Sequence, residues 1–450
     1  MQLGYVYKLI PSSQQEATMN RWLDMLLAQY NYLLRDRNES YEQVKSPKLG
    51  NYCDLKTHGE ACPLSCSVNK SSSIGYPWKK SQKNPRRSAY EVQSSSLPSL
   101  KKQRPWYKAI NSTVLQQMLR QLDVAFSKFF KGEAKYPRPK RRYRFRSLKY
   151  APGQVKLDGN RIYLPGIGWM RFHNSRPIPD GFTMKSVTVR RQSRGWFVSI
   201  QIEDKSVPVP PVKTKHEIRP DRVKGCDLGI RKLLSISDGE IVQNPANSKK
   251  SKRQTRRLRL RQRAASRKKK GSNNRKKAFS KVASLHERVT NKRSAYHWET
   301  AKNLSNGADA LVFEDLNIKG MKSRCKPKPK DLGGYDRNGQ SAKKGLNRVI
   351  SDAAWGELVK KVEVVAAKSG IPVIKINPKH TSQRCPKCHH TSADNRKGEK
   401  FVCTECGYHD DADINGAVNI KMRGLKKLGI NPTQLPSVRR KVTPMDITAV

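Results

Sequence analysis

Three acidic residues stand at places where the chain has no need of charge for solubility. Asp227 lies in the apolar, glycine-containing run 224–230, Glu314 ends the apolar run 310–313, and Asp413 begins a helix with an apolar face. Converging carboxylates repel one another unless cations neutralise them. Two Mg²⁺ ions do so in sites that hydrolyse phosphodiesters, because Mg²⁺ prefers oxygen ligands. The three acids together therefore predict a two-magnesium catalytic site.

Each acid alone also has a structural interpretation. Asp227 could end a strand, Glu314 could pair with a lysine, and Asp413 could be the N-cap of its helix. The prediction of a catalytic site therefore depends on the combination of the three residues, not on any one of them.

Four cysteines form two C-x2-C pairs with 14 residues between them: Cys385, Cys388, Cys403 and Cys406. Two such pairs suit tetrahedral coordination by thiolates, and a closed shell of four cysteines is typical of a structural zinc site. The sequence therefore predicts one structural Zn²⁺ here.

A second zinc site is left open as an alternative. One further set of ligands has spacings that fit no standard pair of knuckles: Cys53, His58, Cys62 and Cys66. We expect Cys226 and Cys325 to be free thiols.

The charge of the chain predicts a polyanionic partner. Lys and Arg number 92 against 36 Asp and Glu, a formal net charge of +56, and nucleic acid is the partner that such a charge favours. Residues 249–270 contain 13 Lys or Arg and no acid, which predicts a basic helix that contacts phosphates; a merely solvated helix is the alternative.

The sequence offers no sign of a membrane or of secretion. It contains no long apolar span, and residues 1–10 lack the pattern of a secretory signal. We therefore expect no membrane partner and a location in the cytoplasm of a prokaryote, on the nucleoid.

The first half of the chain has two apolar-faced helices and a β-rich segment. A strand over residues 5–10 precedes a helix that a capping box at 13–16 would begin, and that helix has one apolar face: Trp22, Leu26, Tyr30 and Leu33. Residues 43–99 interrupt the pattern with an irregular insert. A second helix then carries Leu115, Leu119, Leu122, Phe126 and Phe129 and ends at Gly132.

Residues 136–204 alternate as strands do, with tight turns at 158–159 and 193–195, and predict a small barrel or sandwich. The Pro-rich run 207–212 predicts a linker. Further on, 322–344 has the composition of a mobile loop, Ser351 or Asp352 would cap a helix that ends at Gly370, and 371–376 would be a buried strand.

Five short motifs, in this order, resemble the RuvC nuclease and zinc ribbon of the transposon-encoded TnpB family, which shares its core with the compact type V CRISPR effectors. They are Gly-Cys-Asp-Leu-Gly-Ile at 225–230, Val-Phe-Glu-Asp-Leu-Asn at 312–317, Ser-Asp-Ala-Ala-Trp-Gly at 351–356, Thr-Ser-Gln at 381–383 and Asp-Ala-Asp-Ile-Asn at 411–415. The match is specific from about residue 224 to 420.

The resemblance implies that Asp227, Glu314 and Asp413 are the catalytic acids, with Asp410 and Asp411 as bystanders. It also implies an RNA-guided DNA endonuclease that recognises a short flanking motif, with a guide noncoding RNA and double-stranded target DNA as partners. An RNA-guided DNA-binding protein without cleavage, a DNA strand-transferase and a structural RNA-binding protein remain as alternatives.

The fold that follows is multidomain, α/β with all-β and helical parts. We expect an N-terminal β-barrel from residues 1–16 and 133–215, interrupted by a helical recognition lobe at 17–132. An RNase H-like RuvC nuclease domain would comprise 219–379 and 413–450, and a zinc ribbon would occupy 380–412.

Overall fold

The computed structural model of the chain describes residues 2–45, 88–331 and 333–431. The chain forms two compact units, Met1–Val207 and Pro208–Val450, and the boundary between them falls in the Pro-rich run 207–212. Within the described ranges, no helix has the length and apolarity needed to cross a membrane.

The first unit is built on an antiparallel sheet of seven strands in the order β2-β6-β7-β1-β5-β4-β3. The strands are β1 (Gln2–Ile10), β2 (Ser147–Tyr150), β3 (Lys156–Asp158), β4 (Arg161–Leu164), β5 (Gly168–Phe172), β6 (Thr183–Gln192) and β7 (Gly195–Glu203). Both predicted tight turns are confirmed, because Asp158 pairs with Arg161 and Gln192 with Gly195. Closure of this sheet into a barrel stays a prediction.

The helices of the first unit are α1 (Ser13–Lys45), α2 (Ala89–Ser95), α3 (Leu97–Gln103) and α4 (Ser112–Phe130). The apolar face predicted for α1 is confirmed, since its four predicted side chains are all buried. The predicted position of the capping box is wrong by one residue. The Ser12 hydroxyl accepts the Gln15 backbone N–H and the Gln15 side chain accepts that of Ser12, so the box is 12–15.

The expected irregular insert is also partly helical. Its last residues form α2, which begins with a capping box of Ser88 and Glu91. Gln93 of α2 is buried and donates to the Leu33 carbonyl and the Asp36 carboxylate of α1. The polar composition of this segment gave no prediction of a helix, because an amide side chain makes the hydrogen bonds to α1.

The second unit contains a mixed sheet of five strands in the order β10-β9-β8-β11-β12. The strands are β8 (Val223–Leu228), β9 (Lys232–Ile236), β10 (Ile241–Gln243), β11 (Ala310–Glu314) and β12 (Val373–Ile376). β8, β9 and β10 pair antiparallel, whereas β11 runs parallel to both β8 and β12. This mixed α/β arrangement is consistent with the expected RNase H-like fold.

β12 differs from its prediction, because it lies at the sheet edge and exposes Lys375; of its four residues only Ile376 is buried.

The helices of the second unit are α5 (Lys249–Arg267), α6 (Asn273–Ser305), α7 (Ile318–Met321), α8 (Gln340–Ala353), α9 (Trp355–Ala367) and α10 (Ala412–Lys427). Before α10 come three short strands: β13 (Arg396–Lys397), β14 (Lys400–Val402) and β15 (His409–Asp411). Alternate residues of the central strands face opposite layers. Leu311 and Phe313 pack with α6 and α9, whereas Ala310 and Val312 pack with α10. The sheet therefore lies between two helical layers.

The prediction for residues 340–354 is wrong. α8 begins at Gln340, inside the expected loop, and runs through Ser351, whose hydroxyl donates to the Asn347 carbonyl and caps no helix. The helix ends at Ala353; the next residue, Ala354, has a left-handed backbone with φ of 50°, and α9 follows. The apolar residues of α8 stand at helical spacing (Leu346, Val349, Ile350 and Ala353), but only the last two are buried and the first half of the helix is polar, so its start resembled the preceding loop.

Candidate functional site

Two of the predicted acids lie side by side at the carboxyl ends of neighbouring parallel strands. In the β8–β11 register Val312 pairs with Gly225 and Phe313 with Cys226, so the next residues along are Asp227 and Glu314. Side chains alternate between the two faces of a sheet. Asp227 and Glu314 therefore project toward the face that Gly225 and Val312 share, which is the face covered by α10.

α10 approaches this face so closely that glycine is required at the contact. A Cβ atom at Gly225 would lie 2.1 Å from the Ala417 carbonyl oxygen, and one at Gly424 would lie 2.3 Å from the Val312 side chain. A Cβ at Gly416 would lie 3.2 Å from Asp227 Oδ2. The absent side chains thus allow α10, which carries Asp413, to lie against the two acidic strand ends.

The three acids influence one another electrostatically. Burial, and after it the negative charges of Glu314 and Asp413, raise the pKa of Asp227 to about 7. Burial likewise raises the pKa of Glu314, although a hydrogen bond from the Thr381 hydroxyl to its carboxylate favours the charged form. The site therefore holds carboxylates whose charge the protein alone neutralises incompletely.

Asp413 is held by two basic side chains. Arg396 Nη2 lies 3.1 Å from Asp413 Oδ1, and Lys232 Nζ lies 3.4 Å from Asp413 Oδ2. The N-cap of α10 is Asp411, which accepts the backbone N–H groups of Asp413 and Ile414 and lies 2.7 Å from Lys232 Nζ. Asp413 therefore does not serve as the helix cap, and Asp411 has a structural role.

The acid cluster is defined as Asp227, Glu314 and Asp413, and its oxygens do not all lie within 4.8 Å of one another. In the described part of the chain, only the four cysteines bring three or more candidate ligand atoms within 4.8 Å of one another. Carboxylate oxygens are hard ligands that suit Mg²⁺, and their unneutralised charge favours cations.

The four predicted zinc ligands, here called the cysteine cluster, come together. The sulfur of Cys385 lies 3.6 Å from that of Cys406, and the sulfur of Cys388 lies 3.5 Å from that of Cys403. Tetrahedral zinc with bonds of about 2.3 Å would place sulfurs about 3.8 Å apart. The four thiols are free of disulfides, so this geometry suits a metal such as zinc.

Amide side chains of α10 connect the segment around the cysteine cluster to the sheet. Asn419 Nδ2 donates to the carbonyls of Thr381 and Arg384, and Asn415 Nδ2 also donates to that of Arg384. Sequence reasoning missed Lys232, Arg396 and Thr381 as neighbours of the acids. Of these three residues, only Thr381 could have been identified from the sequence, since it belongs to the Thr-Ser-Gln motif.

The remaining predicted metal residues fall elsewhere. Cys53, His58, Cys62 and Cys66 lie outside the described residues. Cys226 is buried and Cys325 is half-buried, and both are free thiols as expected.

Three family models match parts of the chain. The Cas12f1-like TNB domain matches residues 355–420, a model described as "Probable transposase" matches 200–324, and one described as a helix-turn-helix domain matches 1–46. Within residues 2–45 the observed elements are β1 and the single long helix α1, so the name of the third model does not describe this structure.

Curated relatives extend over almost the whole chain. A protein of Escherichia coli (strain K12) named as the RNA-guided DNA endonuclease InsQ is 34% identical over 428 residues, which are 94% of this chain and 92% of that protein. A protein from Streptomyces pristinaespiralis named as an RNA-guided DNA endonuclease is 33% identical over 94% of this chain and 89% of its own.

A solved Cas12f1–sgRNA–target DNA complex is similar over 94% of this chain and 98% of that chain, at 14% identity and a TM-score of 0.43. A TM-score this low does not identify the family, so the family is assigned from the sequence relatives. On the strength of their identity and coverage, the chain belongs to the TnpB family of RNA-guided DNA endonucleases.

Proposed function

We propose that this protein is an RNA-guided DNA endonuclease that hydrolyses phosphodiester bonds at the acid cluster. The observation that carries the proposal is the convergence of the three acids from β8, β11 and α10, with the pKa of Asp227 raised to about 7. Carboxylates with this much uncompensated charge need cations, and metal-dependent nucleases use them in this way.

The residues of the chain have separate tasks in this proposal. Asp227, Glu314 and Asp413 would hold two Mg²⁺ ions, which supply Lewis acidity and an activated water when bound. Thr381 orients the Glu314 carboxylate through its hydroxyl. Close packing of α10 against Gly225 fixes the distance between the acid of the helix and the acids of the sheet. The cysteine cluster would hold a structural zinc.

The proposed partners are a guide RNA and a double-stranded DNA target. Support comes from the names of the relatives, which cover the chain almost completely, and from the charge of +56. The domains proposed for the chain are a barrel at 1–16 and 133–215, a recognition lobe at 17–132, the nuclease at 219–379 and 413–450, and a zinc ribbon at 380–412.

The experiment that tests the nuclease site compares Asp227→Asn, Glu314→Gln and Asp413→Asn with the wild-type protein, each purified with its RNA. Plasmid cleavage in Mg²⁺ should fall by at least about a thousandfold in each variant, because each removes a metal ligand. Target binding in a chelator should stay within about twofold, since affinity comes from base pairing and basic surfaces.

Asp315→Asn is the matched control, because Asp315 is the exposed neighbour of Glu314 and its change should leave cleavage intact. Asp411 is unsuitable as a control, since it caps α10. Robust cutting by the Asp227 or Glu314 variant would refute the nuclease site.

Strand transfer is the second candidate, because the model that matches residues 200–324 is described as a probable transposase. The two activities share metals but differ in the attacking group, which is water in hydrolysis and a DNA 3′-hydroxyl in transfer. Products joined to a labelled donor end would favour transfer, whereas 5′-phosphate ends without joining would favour hydrolysis.

A further inference from the structure

Among the described residues, Asp413 differs from the other two acids in forming ion pairs shorter than 4 Å, whereas Arg396 and Arg423 act on Asp227 and Glu314 through charge at longer range. Lys232 Nζ and Arg396 Nη2 lie 3.4 and 3.1 Å from its two carboxylate oxygens. We call Lys232 and Arg396 the counterion pair. Their side chains are 17% and 32% exposed, and that of Asp413 is 24% exposed. These contacts are shielded enough from solvent to compete with another cation for the same oxygens.

The position of Arg396 is fixed by the segment that carries the cysteine cluster. The preceding residue, Asn395, is almost fully buried; its amide donates to the Gln383 carbonyl and accepts from the backbone and hydroxyl of Thr404. Gln383 precedes the first cysteine pair, and Thr404 lies within the second. Asn395 therefore fastens the start of β13 to both halves of the cluster and directs Arg396 toward Asp413.

Lys232 is fixed from another direction. It begins β9, directly after the tight turn that follows Asp227, and its ammonium lies between Asp411 and Asp413. The side chain of Asn244 donates to the Ile230 carbonyl and holds this turn. The counterion pair thus reaches Asp413 from two separate parts of the fold, so neither contact depends on the other.

We propose that the counterion pair occupies Asp413 until nucleic acid arrives, and that the phosphates of the bound DNA strand draw the two cations away and free Asp413 for a metal ion. This inference rests on the proposed function. A guanidinium and an ammonium both bind phosphate oxygens well, and a guanidinium does so in a bidentate manner. Binding of the metal ion is thereby coupled to the presence of the DNA substrate. The segment that carries the cysteine cluster contributes to this coupling because it positions Arg396.

The coupling predicts a change that is measured as metal affinity, so its readout does not depend on cleavage. Mn²⁺ binding to the full chain with its RNA is followed by the electron paramagnetic resonance signal of the free ion, and the same measurement on Asp227→Asn gives the background from the RNA. Without DNA, Arg396→Gln is expected to bind the site-specific Mn²⁺ about fivefold more tightly than wild type, as one half-buried ion pair is removed.

With matched target DNA, wild type should tighten toward the value of the Arg396→Gln variant, whereas the variant itself should change little. Lys232→Gln should act in the same direction as Arg396→Gln. The matched control is Arg231→Gln, because Arg231 adjoins Lys232 but pairs with Glu399 and is 83% exposed; its Mn²⁺ binding should equal that of wild type.

Two failures can be told apart. Equal Mn²⁺ affinities of Arg396→Gln and wild type without DNA, while both exceed the Asp227→Asn background, would overturn the coupling and leave the nuclease site standing. Binding no greater than that background, with or without DNA, would overturn the metal site itself and the proposed function with it.

Discussion

The two clusters of candidate metal ligands in the second unit are built in opposite ways. The cysteine cluster is assembled locally by two short C-x2-C segments, and its four sulfurs all lie within 4.8 Å of one another. The acid cluster is assembled from β8, β11 and α10, residues that are far apart in the chain, and its oxygens are spaced more widely.

This difference in assembly corresponds to two roles of metal ions in proteins, a structural role and a catalytic role. A closed thiolate shell supplies folding free energy to a segment with a small core; the buried hydrophobic cluster here consists only of Cys385, Phe401, Cys403 and Ala412. The acid cluster instead stands on a large core and retains charge repulsion. Loss of a ligand should therefore lower stability at the cysteine cluster and raise it at the acid cluster.

The largest effect is expected for Cys403→Ser. Structural zinc in small domains contributes about 10 kcal/mol or more to folding, so this variant should lose its zinc and unfold the segment that contains β13 and β14. Metal analysis and the melting curve of the full chain measure the change. Cys325→Ser, which alters a half-buried free thiol, should keep zinc and stability; unchanged zinc in the Cys403 variant would contradict the structural role.

A smaller change of opposite sign is expected for Asp227→Asn in metal-free protein. The pKa of Asp227 is raised from 3.8 to about 7 in the folded state, so the folded protein binds this proton more tightly than the unfolded chain. The stability that this provides is complete below about pH 4 and is lost as the pH rises through about 7. Wild type is thus penalised at pH 8, by at most about 4 kcal/mol.

Asp227→Asn removes that penalty. Its gain in stability over wild type should grow by about 2–3 kcal/mol between pH 5 and pH 8, which calorimetry in a chelator would detect as a rise in melting temperature on the order of 5–10 °C. Addition of Mg²⁺ should stabilise wild type but not the variant. A variant that is less stable than wild type at pH 8 would show that the carboxylate is well compensated.

The smallest effect per residue is expected in α5, where affinity can be separated from chemistry. Arg256, Arg257, Arg259 and Arg263 are exposed, and replacing all four with Gln should reduce the slope of log affinity against log salt by about 0.9 for each phosphate that the helix no longer neutralises. Cleavage at saturating protein should persist. Arg→Lys at the same positions keeps the charge and serves as the control, and an unchanged slope in the Gln variant would indicate a solvated helix.

The sequence was most informative where a motif is local or a pattern is regular. The cysteine spacing predicted a cluster that the backbone assembles within 22 residues, and the apolar faces of α1 and α4 followed from helical periodicity. The acids were identifiable because each stands beside an apolar run. These signals need no knowledge of the distant parts of the chain.

The features that the sequence did not reveal depend on tertiary contact. α2 is anchored by the buried amide of Gln93, and the first half of α8 is polar and has no buried residue. Arg396 and Lys232 were indistinguishable from the other basic residues of a chain that has 92 of them. Their importance follows only from distances to Asp413, because a salt bridge between residues 17 or 181 positions apart has no sequence pattern.

The closeness of α10 to the sheet has a consequence for how this enzyme can lose its activity. A methyl group at Gly225 would meet the Ala417 carbonyl at 2.1 Å, against about 3.4 Å for an ordinary contact, so the helix would have to retreat by about 1 Å. Such a lesion would leave every carboxylate and every cysteine in the chain. A protein inactivated in this way would still carry the acids and cysteines of its family, and only a methyl group in place of one glycine hydrogen would distinguish a silent gene copy from an active one.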